Sequence, residues 1–189
     1  VHATYVNINK ERARGFDMTV RYDNKFSFGK LEIEANVTRA IEDVTQLFNT
    51  AAESGFDTSD RIGYIGSPKW VGDFRTSLRR NDFTYSWGMN YTGRTRNYDV
   101  GQITAPGDTY FGYVGGLRVV EAKARLYHTA SVQYTHGDWN LLLGVRNVFD
   151  SKPPQVSAGV ADTYGNTPAF ATQYDIFGRT VFARFNYKF

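Results

Sequence analysis

The sequence predicts an all-β, antiparallel fold, and three features indicate it. Apolar and polar residues alternate with period two along most of the 189 residues, as in strands with one apolar and one polar face. The composition is rich in β-favouring aromatic residues and in glycine, with 14 Phe, 13 Tyr, 3 Trp and 18 Gly. Short and long connections also alternate. No apolar run approaches the roughly 20 residues that a membrane-spanning helix needs.

The alternation predicts eight strands, many of them longer than the strands of soluble sheets. They lie at residues 1–8, 12–23, 29–43, 68–80, 83–98, 117–135, 139–150 and 174–189. Val37, Ile41, Val44 and Phe48 also fit the spacing of a helix over about 38–53. We interpret this segment as a strand that runs into a loop, because residues 55–60 interrupt the pattern.

The connections are sorted by length. Short polar turns are predicted at 23–28, 81–82 and 136–138, and long loops at 44–67, 99–116 and 151–173. Short turns at one end and long loops at the other are typical of a transmembrane β-barrel of the outer membrane. Aromatic residues near both ends of the strands match the two aromatic girdles of such barrels.

The alternation alone does not decide what the apolar face contacts. That face packs on a second sheet in a soluble β-sandwich binding module and faces lipid in a barrel. In the barrel interpretation, the membrane-facing residues are Trp87, Trp139, Leu141, Leu143, Val181, Phe185 and Tyr187.

The last fifty residues carry the most specific motif. It consists of the segment WNLLLGVRNVFD at 139–150, Pro153 and Pro154, then Tyr174, Asp175, Gly178 and Arg179, and a terminal aromatic strand that ends at Phe189. In order, spacing and chain end it resembles the last two strands of TonB-dependent outer-membrane receptors. The resemblance implies a plugged barrel of about 22 strands, of which this chain is the C-terminal third. The chain shows neither the N-terminal plug nor the TonB box of that family.

The resemblance also implies a location in the outer membrane of a Gram-negative bacterium, and a set of partners. These are outer-membrane lipid, the N-terminal plug with the remaining barrel strands, the TonB complex reached through the missing plug, and the barrel-assembly machinery. The machinery would read Phe185, Tyr187 and Phe189 as an assembly signal, although ordinary strand alternation also explains all but the terminal Phe. The net charge of +3 is not clustered, so nucleic acid is not a predicted partner.

No pattern of catalytic or metal-ligating residues is present. The chain has no Cys, its three His lack ligand spacing, and neither a nucleophile motif nor a phosphate-binding glycine loop occurs. We therefore predict no enzyme activity, no metal and no cofactor. The ligand-binding prediction rests on cations of the polar faces and on tyrosines near the long loops. The set is Arg94, Arg96, Tyr98, Tyr110, Tyr113, Tyr164 and Tyr174.

Two alternatives remain for these residues. The Arg side chains either attract an acidic ligand such as a ferric chelate or pair with plug and neighbouring carboxylates, and the Tyr side chains either stack on a ligand or anchor at the membrane interface. The resemblance implies an uptake receptor for a scarce nutrient, siderophore-bound iron or similar, to which this chain supplies barrel strands and ligand-capture loops. The alternative is a self-standing eight-stranded outer-membrane barrel with an adhesion, structural or small-solute role.

Overall fold

The computed structural model describes residues 10–46, 59–96, 119–157, 163–164, 167–168 and 174–189. Within these ranges the chain forms strands and no helix, as the alternation predicts. The strands are β1 (Lys10–Phe26), β2 (Gly29–Gln46), β3 (Ser59–Asp60), β4 (Trp70–Arg80), β5 (Phe83–Thr92), β6 (Thr95–Arg96), β7 (Glu121–Ala122), β8 (Arg125–His136), β9 (Trp139–Arg146), β10 (Thr163–Tyr164), β11 (Thr167–Pro168) and β12 (Thr180–Tyr187).

Seven long strands form one antiparallel sheet in the order β1-β2-β4-β5-β8-β9-β12, and β3 pairs with β2. The predicted all-β, antiparallel fold is confirmed. β2 continues to Gln46, so the strand interpretation holds over 38–46 and a helix there is excluded. Residues 47–53 and the predicted strand at 1–8 lie outside the described residues. β6 with β7, and β10 with β11, form two short ladders apart from the main sheet.

Two-residue turns close the hairpins of the main sheet. Residues 27–28, 81–82 and 137–138 join strands whose last pairs are Phe26 with Gly29, Arg80 with Phe83, and His136 with Trp139. All three short turns are confirmed, although the first is tighter than predicted because β1 continues to Phe26. The turn ends also contact each other, since His136 Nδ1 and Asp82 Oδ2 are 2.8 Å apart.

The register separates apolar from polar side chains, because residues directly opposite each other point to the same side of a sheet. One row of the apolar face consists of Leu31, Leu78, Tyr85, Val132, Leu143 and Ala183, and its β1 member is Asn24. On the same side β1 contributes Met18, Val20 and Tyr22. One row of the polar face consists of Arg21, Glu34, Arg75, Gly88, Thr129, Arg146 and Thr180. Each face is therefore continuous across all seven strands.

The apolar face is uncovered in the part of the chain that the structure describes. Leu143 is 52% exposed and Phe185 is 55% exposed. The buried apolar cluster lies instead at the long-loop end, where Val120, Ala122, Val156 and Tyr174 pack together with the partly buried Ile65. A β-sandwich needs a second sheet over the apolar face, and the described residues supply none. No described helix is long and apolar enough to cross a membrane.

The described strands form an open sheet. β1 pairs only with β2, and β12 pairs only with β9, among the residues that the structure describes. Neighbouring strands of this sheet run in opposite directions. The first and last of the seven, the edge strands β1 and β12, therefore run in the same direction. An all-antiparallel closure therefore needs an odd number of further strands between these two edges.

Candidate functional site

Asn147 joins the two ends of the last long connection. The residue is only 2% exposed, and its backbone is in the left-handed region with φ 49°. The amide Nδ2 donates to the main-chain oxygen of Ser151 at 3.1 Å and to Asp175 Oδ2 at 2.9 Å. The main-chain N–H of Ser151 donates back to Asn147 Oδ1 at 2.8 Å. One side chain thus holds the turn after β9 against the segment that leads into β12.

Two carboxylates complete this arrangement. Asp175 Oδ1 accepts from the main-chain N–H groups of Phe177 at 2.9 Å and Gly178 at 3.2 Å. Asp150 Oδ1 accepts from the main-chain N–H of Arg179 at 3.0 Å, and Asp150 Oδ2 accepts from Lys152 Nζ at 2.8 Å. The Lys152 ammonium and then the Arg179 N–H hold the pKa of the Asp150 carboxyl below its usual value.

Gly178 is required where the two carboxylates approach. Its φ of +77° lies in the region that favours glycine, and a Cβ there would lie 2.9 Å from Asp150 Oδ1. We call Asn147, Asp150, Asp175 and Gly178 the loop clamp. All four belong to the motif that carries the family resemblance, and sequence reasoning assigned them no individual role. Their Asn and Asp side chains beside turn-forming Gly and Pro are the signal from which a clamp could have been predicted.

Tyr174 lies on the inner side of the loop clamp. The side chain is 8% exposed, and its hydroxyl is 3.5 Å from Thr95 Oγ1. Burial raises the pKa of the Tyr174 phenol. Tyr174 lines a cavity of about 820 Å³ against the polar face, whose other walls include Asn36, Tyr127 and Arg146. The predicted ligand residue Tyr174 therefore borders a cavity, where it meets polar-face side chains.

Arg94 and Arg96 line a second cavity, of about 710 Å³, at the long-loop end of β4 and β5. We call it the basic pocket. Its charged lining consists of Lys69, Arg94, Arg96, Lys123 and Glu121, and all five are exposed. Trp70 and Tyr91, which belong to the apolar face by register, also line it. Four cations against one carboxylate make this pocket attractive to anions.

The placement of the two arginines corrects the period-two assignment. Simple alternation after Thr92 puts Arg94 and Arg96 on the polar face, but β5 ends at Thr92 and the ladder resumes only at Thr95. Thr95 is 3% exposed and turns toward Tyr174. The interruption shifts the alternation by one residue, so that Arg94 and Arg96 lie with Trp70 and Tyr91.

The predicted ligand set is thus divided between two cavities. Arg94 and Arg96 line the basic pocket, Tyr174 borders the polar-face cavity, and Thr95 lies between them. Tyr164 belongs to β10, and nothing is described of its side chain. Tyr98, Tyr110 and Tyr113 lie outside the described residues. Sequence reasoning missed Lys69, Trp70 and Lys123 as pocket residues, because the connections that bring them together are long.

Two arginines of the polar face lie near neighbouring carboxylates. Arg21 Nε lies 3.2 Å from Glu34 Oε2, and Arg75 Nε lies 3.8 Å from Asp73 Oδ2. Arg12 and Arg14 contact Glu42, but they alternate with the polar-face positions of β1 and lie on the side of Phe16. Arg146 instead has its guanidinium 5.5 Å from the centre of the Phe182 ring. Pairing with neighbouring acids thus accounts for Arg21 and Arg75, and both alternatives stay open for Arg94 and Arg96.

The predicted membrane-facing residues share one face. The register places them on four successive rows of the apolar face. The rows contain Trp87 with Val181, then Leu143, then Leu141 with Phe185, and then Trp139 with Tyr187. At the short-turn end the ring centres of Trp139 and Phe185 are 5.3 Å apart, and those of Tyr187 and Phe189 are 5.0 Å apart. These four rings form an aromatic rim beside the turn at 137–138.

Comparisons of the chain with protein-family models, with curated proteins and with solved structures give no match. Among the described residues, no group of three or more His, Asp or Glu side chains is arranged to hold a metal ion.

Proposed function

We propose that the chain is the C-terminal part of the β-barrel of a TonB-dependent outer-membrane receptor, which takes up a scarce nutrient such as siderophore-bound iron. Its strands close the barrel, and its long connections contribute to ligand capture at the cell surface. Energy reaches the bound ligand through the plug and the TonB complex of the intact receptor, and this chain carries out no covalent chemistry.

The uncovered apolar face carries the proposal. A continuous face of Leu, Val, Phe and Ala across seven strands is too extensive to remain in contact with water in a stable soluble protein. Its aromatic rim at the short-turn end matches the girdle of a membrane interface. The opposite face bears charged side chains, such as the pair of Arg21 with Glu34, which suit a wet lumen.

The direction of the edge strands supports a larger barrel. Closure needs an odd number of added antiparallel strands, and a barrel of about 22 strands supplies about 15. Both edges of the described sheet are long, and long open edges invite pairing with further strands. The polar face, with its cavity of about 820 Å³, then forms part of the lumen wall next to the plug.

The loop clamp supports a role in ligand capture. A connection that starts at Asn147 and is tied down again at Asp175 has fixed ends. Fixed ends reduce the conformational entropy that a binding loop loses when it contacts a ligand. Tyr174, which lies beside the clamp, lines the polar-face cavity and has its hydroxyl 3.5 Å from Thr95 Oγ1.

The coding sequence upstream of Val1 provides the direct test. We expect it to encode a plug domain and about 15 further strands, and the purified complete product to bind the periplasmic domain of TonB. A reading frame that starts a few residues upstream and gives a compact, heat-modifiable monomer in detergent contradicts the proposal. That outcome favours the self-standing eight-stranded barrel, in which one added strand closes the sheet.

A further inference from the structure

We propose that the outer wall of the sheet carries a binding site for an anionic lipid with a phosphomonoester headgroup. The headgroup occupies the basic pocket, and an acyl chain lies in an apolar groove that continues from it. The inference rests on the proposed function, because it needs the apolar face to contact a bilayer, and it goes beyond it by assigning a specific lipid to one position on that face.

The groove lies on the apolar face and has a volume of about 520 Å³. Its floor is at Gly72, which stands in register between Val37 and Tyr91 and has no side chain to fill the space. The lining is mostly apolar and includes Ala35, Val37, Phe74, Met89 and Leu126. Asp73 also lines the groove, from a position that belongs to the polar face by register. A groove of this kind, open on the face that contacts lipid, accepts a hydrocarbon chain without burying a polar group.

The groove and the basic pocket share two residues. Trp70 and Tyr91 line both, so the apolar groove leads directly into a cavity with four cationic side chains. A further cation lies at the junction, where the Arg39 guanidinium is 5.2 Å from the centre of the Trp70 ring. The lining surface therefore changes from apolar to cationic across a single aromatic side chain.

This arrangement fits an amphiphile better than a soluble anion. A free phosphate would use only the basic pocket and leave the groove unexplained, whereas a lipid uses both. The pocket lies at the long-loop end of the strands, where the headgroup region of a bilayer begins if the apolar face spans the hydrocarbon. A phosphomonoester carries nearly two negative charges at pH 7, which suits several cations around one site.

The three tryptophans allow a site-specific test. W87F/W139F, made in the complete receptor together with phenylalanine at every tryptophan upstream of this chain, leaves Trp70 as the only tryptophan. It is refolded into phosphatidylcholine bilayers that contain a small fraction of either dibromo-phosphatidate or dibromo-phosphatidylcholine, and quenching of Trp70 measures the relative binding of each lipid. We expect phosphatidate to be preferred by at least about tenfold, since each basic residue near a membrane surface contributes about fivefold.

Matched variants assign the preference to the pocket. R94A and K123A, each made in the Trp70-only background, are expected to lower the preference by about fivefold each. R80A removes one cation from the same face at the short-turn end and is expected to leave the preference unchanged within about twofold. Glycerol 3-phosphate at millimolar concentration is expected not to displace the lipid. If the Trp70-only receptor does not refold, native mass spectrometry gives the same ratios. It compares the unmodified complete receptor with its R94A, K123A and R80A variants, released from micelles that contain equal amounts of the two lipids.

The outcomes separate this inference from the proposed function. Equal quenching of Trp70 by both brominated lipids overturns the lipid site and leaves the membrane-facing sheet in place. No quenching by either lipid contradicts the membrane-facing sheet itself. A preference that glycerol 3-phosphate abolishes, or that R80A lowers as much as R94A, overturns the assignment to a lipid at this pocket.

Discussion

Replacing Leu143 by arginine tests the apolar face near its middle. Leu143 lies four residues from the rim residue Trp139 along β9, which is about 14 Å at about 3.4 Å per residue. A strand tilt of about 40° reduces this to a depth of about 10 Å below the rim, close to the middle of an apolar band about 25 Å tall. The arginine therefore enters the region where its insertion is most costly.

The expected loss of stability is about 3 kcal/mol, because Arg at the midplane of an outer-membrane barrel costs about 2–4 kcal/mol. That loss lowers the folding equilibrium constant by roughly 150-fold. Urea unfolding of Leu143→Arg in phosphatidylcholine vesicles, followed by tryptophan fluorescence, measures it. If the face were in water, the half-exposed Leu143 would tolerate the change within about 0.5 kcal/mol.

Ser131→Arg is the matched control. Ser131 lies on β8, pairs with Gly144 and belongs to the polar face. The same side chain introduced there stays in the wet interior, and we expect a loss below about 1 kcal/mol. Equal losses at positions 131 and 143, or a loss at 143 below about 0.5 kcal/mol, would refute the assignment of the faces.

Three further predictions concern the loop clamp and the chain end. Asp175→Asn must place its NH₂ group against either the Asn147 amide or the two backbone N–H donors. We therefore expect the free energy of unfolding to fall by about 1–3 kcal/mol and the last connection to be cleaved faster by proteases. The control Asp138→Asn should change neither quantity. Because the folded pKa of Asp150 lies below its usual value of 3.8, its stabilisation is fully present above that value and is lost as the pH falls through the lowered pKa. Protection of the Arg179 amide against hydrogen exchange, corrected for the intrinsic rate, should then be constant from pH 7 to about pH 4 and fall below it. Asp150→Asn, whose amide oxygen still accepts from this N–H, should abolish the pH dependence. Deletion of Phe189 should reduce the heat-modifiable folded fraction in cell envelopes, whereas Lys188→Ala should leave it unchanged, and equal effects would count against an assembly signal.

Much of the sheet can be predicted from local pattern. Alternation with period two assigns the faces of β9 and β12 correctly, because both strands pair without interruption from Trp139 to Arg146 and from Thr180 to Tyr187. The two-residue turns are equally local, since Asn81 and Gly137 supply the positive φ that these tight turns need. Such features depend on a few adjacent residues and therefore appear in a single sequence.

The cavities depend on contacts that no local pattern records. Arg94 and Arg96 were expected on the polar face, but the break after Thr92 shifts the alternation and moves them to the basic pocket. Tyr174 was placed among loop tyrosines, yet it is buried beside Thr95, 79 positions earlier in the chain. Long connections bring these residues together, and a single sequence does not indicate which distant residues will be in contact.

Contact between the apolar face and hydrocarbon is the central claim, and spin-label accessibility along β9 tests it most directly. The chain contains no Cys, so single cysteines at positions 140–143 can be labelled in the complete receptor once any cysteine upstream of this chain is replaced by serine. Oxygen, which dissolves in hydrocarbon, should collide most often with labels at 141 and 143, and a water-soluble nickel chelate with labels at 140 and 142. Low accessibility of 141 and 143 to both reagents, or higher accessibility of these positions to the nickel chelate, would contradict the account.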